Sequence, residues 1–174
     1  TALETNTVTA STTKDTVGPV VSAPADITVA AVDANGTPAT DAAISAFLSS
    51  ASAVDAGDGV VSVANDAPDV FPIGATTVTF SAVDSLTNTG SSSAVVTVED
   101  QTPPVITVED ATVAATDASG TLATAADIVA FLDSATVEDN VDANVTVTND
   151  APDAFPIGAT VVTFTATDSS ELTA

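Results

Sequence analysis

The chain has 174 residues, with 24 carboxylates set against a single cation, Lys14, and a formal net charge of -23, a surface that repels nucleic acid and anionic membranes. A hydrophobic fraction of 45% and a mean hydropathy of +0.40 are too apolar for a solvated acidic coil, so the chain is expected to fold. No Cys or His is present and no apolar run approaches the ~18 residues of a membrane span, which leaves out disulfides, His-based nucleophilic triads and direct membrane insertion.

In chain order, residues 1–14 carry a strand-like segment, Thr5–Thr12, that belongs to neither of two later modules and is read as an extra strand and candidate donor strand. The first module covers 15–100 and is entered through Asp15-Thr16-Val17-Gly18-Pro19. Asp33-Ala34-Asn35-Gly36 has the composition of a turn, with Gly supplying positive φ. Thr40–Leu48 places Ile44, Phe47 and Leu48 at helical spacing, with Thr40 or Asp41 as N-cap, and predicts a short helix docked on the core. Val61-Ser62-Val63 alternates as a strand. Phe71-Pro72-Ile73-Gly74 reads as a corner before Thr77–Val83, which puts Val78, Phe80 and Ala82 on one buried face. A last strand, Ser91–Asp100, ends in acidic residues, and Pro103-Pro104 stiffens the junction.

The second module, 101–174, repeats the first. Asn65–Thr76 recurs as Asn149–Thr160, 84 residues on, and the same offset maps Asp26 to Asp110, Phe47 to Phe131, Asp55 to Asp139, Phe80 to Phe164 and Asp84 to Asp168. A repeat of this length, cut into short alternating strands, predicts an all-β chain of two tandem immunoglobulin-like β-sandwich modules, each with a short helix insertion. The second copy stops at the equivalent of Gly90, so its last strand is missing and an apolar groove is expected at the uncovered sheet.

Asp-x-Thr-Pro-Pro-Val-Ile at the junction, together with Phe-Pro-Ile-Gly-Ala-Thr-x-Val-Thr-Phe-Thr-Ala-Thr-Asp from Phe155 to Asp168, resembles the hyalin-repeat (HYR) domain. The resemblance implies an immunoglobulin-like module strung in tandem in extracellular or cell-surface proteins, used for adhesion or spacing and without catalysis. Many members carry a cysteine pair that this chain lacks.

Carboxylates at this density need an offsetting charge, and Asp-rich loops without His or Cys suit a hard, oxygen-seeking cation. Calcium is therefore the expected structural ion, with Asp15, Asp84, Glu99, Asp100, Asp139, Asp142 and Asp168 as candidate ligands and Asp84 set beside Asp100 at one pole; a merely solvated acidic surface is the bland alternative. The surplus N-terminal strand and the missing C-terminal one together predict an extracellular filament subunit, each copy donating its strand to the next, so that the partners are other copies of the chain. Cell-surface or matrix components are further expected partners. The alternative is a spacer segment of a long tandem-repeat adhesin. No enzyme is expected: paired carboxylates alone recur as repeat features, and no Trp or Tyr offers a sugar platform.

Overall fold

A computed structural model describes residues 14–174, and the chain is mostly β-sheet with one short helix in each repeat. The expected donor strand at Thr5–Thr12 lies outside the described residues.

The first repeat runs β1 (Val20–Ser22), β2 (Ile27–Ala30), β3 (Thr37–Pro38), α1 (Ala42–Ser49), β4 (Ser52–Asp55), β5 (Gly59–Val61), β6 (Val63–Asn65), β7 (Val70–Phe71), β8 (Gly74–Val83) and β9 (Thr89–Glu99). Three sheets result, ordered β1-β4-β5, β2-β9-β8-β6 and β3-β7. The expected single strand at 61–63 is corrected: Ser62 is where the chain leaves one sheet for another, with Val61 paired to Ala53 and Val63 paired to Ala82. Strand β9 is central. It pairs antiparallel with β8 along ten positions and parallel with β2 along four.

The core follows from the alternation. Val78 and Phe80 of β8, Val96 and Val98 of β9, Phe71 and Ile44 are all fully buried. Ala94, Val29, Ala31 and Phe47 complete the cluster, and Val21 of β1 packs against it. Helix α1 begins where the sequence places it, because the Asp41 carboxylate accepts from the Ala43 and Ile44 N–H groups at 2.9 and 3.3 Å. It then presents Ile44 and Phe47 to the sheet, and Phe47 meets Phe80 edge to face with ring centroids 5.7 Å apart. The turn at Asp33 closes as read, since Asn35 N–H donates to the Asp33 side chain and Gly36 sits at φ 109° against the Phe71 carbonyl, where a Cβ would collide.

The second repeat runs β10 (Val105–Thr107), β11 (Thr121–Leu122), α2 (Ala126–Leu132), β12 (Thr136–Glu138), β13 (Thr146–Asn149), β14 (Ala154–Phe155) and β15 (Phe164–Thr167). Its pairs are β10-β12, β11-β14 and β13-β15. The registers reproduce those of the first repeat: Val147 opposite Ala166 is Val63 opposite Ala82, moved along the chain by one repeat. Helix α2 begins after Ala125, which has no capping side chain where the first repeat has Asp41.

The uninterrupted register holds from Asp26 onward but not before it. Strand β1 starts after Pro19 and β10 after Pro104, so the entry to the second repeat lags by one residue. The counterpart of Asp15 is thereby Asp100 and not Glu99; both carboxylates accept an N–H two residues on, from Val17 at 3.0 Å and Thr102 at 3.1 Å.

The unequal packing of the repeats gives a measurable contrast. Phe80→Ala is expected to cost about 3–5 kcal/mol in chemical denaturation, whereas Phe164→Ala, at a half-buried ring, costs less than about 2 kcal/mol. Equal losses would contradict the difference in burial.

Candidate functional site

Each repeat gathers acidic loops at the end where its chain enters. In the first, Asp55 closes β4 and its Oδ1 accepts from the Gly57 and Asp58 N–H groups at 2.7 and 3.1 Å. Asp84, just past β8, accepts from Leu86 and Asn88 N–H at 2.8 Å each. In the second, Asp139 holds Val141 and Asp142 N–H at 2.8 Å each, and Asp168 holds Ser170 and Leu172 N–H at 2.9 and 2.8 Å. The logic is common to all four. One carboxylate oxygen fixes the local turn, which leaves the other free to face a neighbour.

Two carboxylate clusters follow. Oxygens of Asp15, Asp55 and Asp84 lie within 4.8 Å of one another, and so do oxygens of Asp100, Asp142 and Asp168. Asp84 and Asp100, expected side by side, belong to different clusters. The reason is the β8-β9 hairpin, which sets Val83 opposite Thr89 and Gly74 opposite Val98, so that Asp84 sits at the start of β9 and Asp100 past its far end. Glu99 ends β9 exposed and joins neither cluster. Asp55, the counterpart of Asp139, is buried in the first cluster although it was not among the expected ligands; the repeat itself was the signal that could have named it.

The clusters differ in how far they satisfy themselves. In the first, the Asn88 side-chain amide donates to Asp84 Oδ2 at 2.6 Å. Burial works to raise the Asp84 pKa, but hydrogen bonds from the Asn88 side chain and backbone and from Leu86, with the Lys14 charge, hold it below the usual carboxylate range. In the second, Leu172 replaces Asn88, and Asp168 Oδ2, Asp100 Oδ2 and Asp139 Oδ2 are buried without hydrogen-bond partners. Asn140 joins this group, its Oδ1 also buried and unpartnered. Its Nδ2 reaches across the junction to the Ala31 and Val32 carbonyls at 3.0 and 3.3 Å, and the adjacent Val141 packs on the first repeat's core. Asn140 lies in the Asp139–Asp142 loop but is not among the expected ligands, and its counterpart in the first repeat is Ala56.

The second feature is a groove. In the first repeat β9 lies between β2 and β8; in the second, Thr173 and Ala174 begin the same strand, with Thr173 bridged to Thr167 and Ala174 exchanging hydrogen bonds with Ala166 at 3.1 Å. Residues 111–114 and 158–163, the counterparts of β2 and the first half of β8, then form no strand. A cavity of about 650 Å³ stands in place of β9, lined by Val113, Ile128, Phe131, Phe155, Val162 and Phe164. These are the second-repeat counterparts of Val29, Ile44, Phe47, Phe71, Val78 and Phe80.

Residues 99–174 match the family described as the HYR domain. The chain is also 33% identical over 160 residues to Hyalin of Lytechinus variegatus, an alignment that takes in 88% of this chain and 29% of that protein. The chain thus spans less than a third of the length of this relative. No solved structure matches it significantly. Among the described residues, no helix is long and apolar enough to cross a membrane.

The depressed Asp84 pKa sets a pH dependence. The stability it contributes is fully present above the unfolded value near 3.9 and is lost as pH falls through the lower folded value. Asp84→Asn keeps the Oδ1 acceptor but removes this titration, so its melting temperature should fall less steeply than that of the parent chain between about pH 5 and 2. Parallel melting curves across that window would contradict the assignment.

Proposed function

Because the chain belongs to the hyalin-repeat (HYR) domain family, we propose that it is a non-enzymatic structural subunit of an extracellular filament, built of two immunoglobulin-like units. In this filament each copy completes the second repeat of its neighbour with an N-terminal strand. The observation that carries this reading is the groove. It retains the side chains that surround β9 in the first repeat and lacks Ala94, Val96 and Val98, the three that β9 inserts. An apolar slot flanked by backbone without sheet partners favours an added strand, because main-chain hydrogen bonds supply affinity and alternate side chains fill the core.

The incoming strand needs small apolar side chains at every second position, and Val8 and Ala10 in Thr5–Thr12 have that spacing. Asp110 lines the groove at the position of Asp26, which in the first repeat accepts from the Val95 N–H of β9 at 2.7 Å. It is therefore placed to receive an amide of the added strand. Donation from copy to copy is head to tail, and such contacts run on as open polymers unless their rotation closes a ring.

A second reading, a spacer segment within a longer tandem-repeat adhesin, is favoured by the chain's spanning only 29% of its relative's length. In that case the strand that fills the groove follows Ala174 in the same polypeptide.

Negative-stain electron microscopy separates the two. The filament reading expects long uniform fibres from the purified chain, lost on deletion of residues 1–14; isolated short particles from both proteins would leave the spacer reading standing. Appending a copy of Ser91–Glu99 after Ala174 should fill the groove from within, abolish fibres, and stabilise the second repeat by about 3 kcal/mol or more from the burial of two valines. A melting curve unchanged by the extension would argue against strand completion in either form.

A further inference from the structure

We propose that the clustered Asp100, Asp142 and Asp168 form a calcium site that ties the second repeat to the first, with Asp139 and Asn140, in the loop that carries Asp142, as its further ligands. This goes beyond strand completion and stands whether or not the groove takes a strand from another copy. The cluster alone would not carry it. Asp168 does: it is 8% exposed, its Oδ1 is taken by two backbone N–H groups, and its Oδ2 is buried with no hydrogen-bond partner. Leaving such an oxygen unpaired beside other carboxylates is costly unless a cation accompanies it. Asp100 Oδ2, in the same cluster, is orphaned in the same way, and so are Asp139 Oδ2 and Asn140 Oδ1 in the loop that carries Asp142.

The donor set selects the ion. Every candidate ligand is an oxygen, from carboxylates and one amide carbonyl, which suits a hard cation and not zinc or copper. Oxygens of the three clustered carboxylates lie within 4.8 Å of one another, close enough to share one such ion.

Asn140 gives the site its reach. Its carbonyl end is unpartnered, while its amide end donates to the Ala31 and Val32 carbonyls of the first repeat. An ion on Oδ1 would fix the side chain that bridges the repeats, and with it the 139–142 loop whose Val141 packs on the first repeat's core. The first cluster lacks both devices. Asn88 Nδ2 already occupies Asp84 Oδ2, and Ala56 stands where Asn140 would. The structure therefore assigns the ion to the second cluster alone.

The test is isothermal titration of the full chain, stripped with chelator, with calcium chloride. The site predicts about one calcium per chain, with a Kd on the order of 10⁻⁴ to 10⁻³ M as in other extracellular calcium modules. Asp168→Asn keeps the Oδ1 acceptor and Leu172→Asn supplies the amide that Asn88 provides in the first repeat; each should weaken binding by about tenfold or more. Asp55→Asn should leave it unchanged. Absence of binding to the parent chain, or binding lost with Asp55→Asn and kept with Asp168→Asn, would overturn the site. Small-angle scattering reads the tie separately: calcium should narrow the spread of chain dimensions in the parent and not in Asn140→Ala. Identical scattering with and without calcium, at saturating ion, would overturn the link between the repeats.

Discussion

One strand decides how complete each repeat is. In the first, β9 lies between a parallel and an antiparallel neighbour and brings Ala94, Val96 and Val98 into the core, so that β2 and the first half of β8, which has no other partner, pair through β9. In the second, the same flanking sequence without that strand gives no ladder at 111–114 or 158–163. Local propensity is shared by the two copies; the outcome is not. Backbone N–H and C=O groups in these segments need a partner that only a central strand supplies, and an alternating Val-Thr pattern does not make a strand alone.

The same strand governs the electrostatics. Because β8 and β9 form a long hairpin, the acidic loop after β8 and the acidic end of β9 lie at opposite poles, so each cluster collects carboxylates from the entry segment, the loop after the helix and the loop after the core strand of a single repeat. Carboxylates drawn from three separate loops are held close, all but Asp142 by turns that each consume one oxygen and Asp142 by Ser169, which donates to both of its oxygens. That arrangement is self-sufficient in the first repeat, where Asn88 supplies the missing donor, and unfinished in the second, where Leu172 does not. With a net charge of -23, a chain gains from any site that fixes a cation between repeats, since repulsion otherwise favours their separation.

Much of this was legible before any coordinates. The helix start at Asp41, the buried face Val78-Phe80-Ala82, the glycine corner at Gly74 and the groove in the second copy all follow from periodicity, turn chemistry and the repeat offset. What the sequence did not disclose were features set by pairing across long separations. The sheet change at Ser62 hides inside an unbroken alternation, and the one-residue lag at the junction falls where the copies diverge. The reach of Asn140 across the junction was not legible, because it depends on carbonyls more than 100 residues away and has no counterpart in the first repeat. Asp84 was placed beside Asp100 by reading the ends of two strands without the direction of the second.

The dependence of the second repeat on an added central strand is tested most directly by amide hydrogen exchange on the full chain, with and without an excess of a peptide of sequence Thr89–Glu99. The account predicts slow exchange along β8 in both conditions. It also predicts fast exchange at 158–163 in the chain alone, becoming slow when the peptide is present. Equal protection of β8 and 158–163 without peptide, or no gain on adding it, would contradict the claim that this strand is what the second repeat lacks.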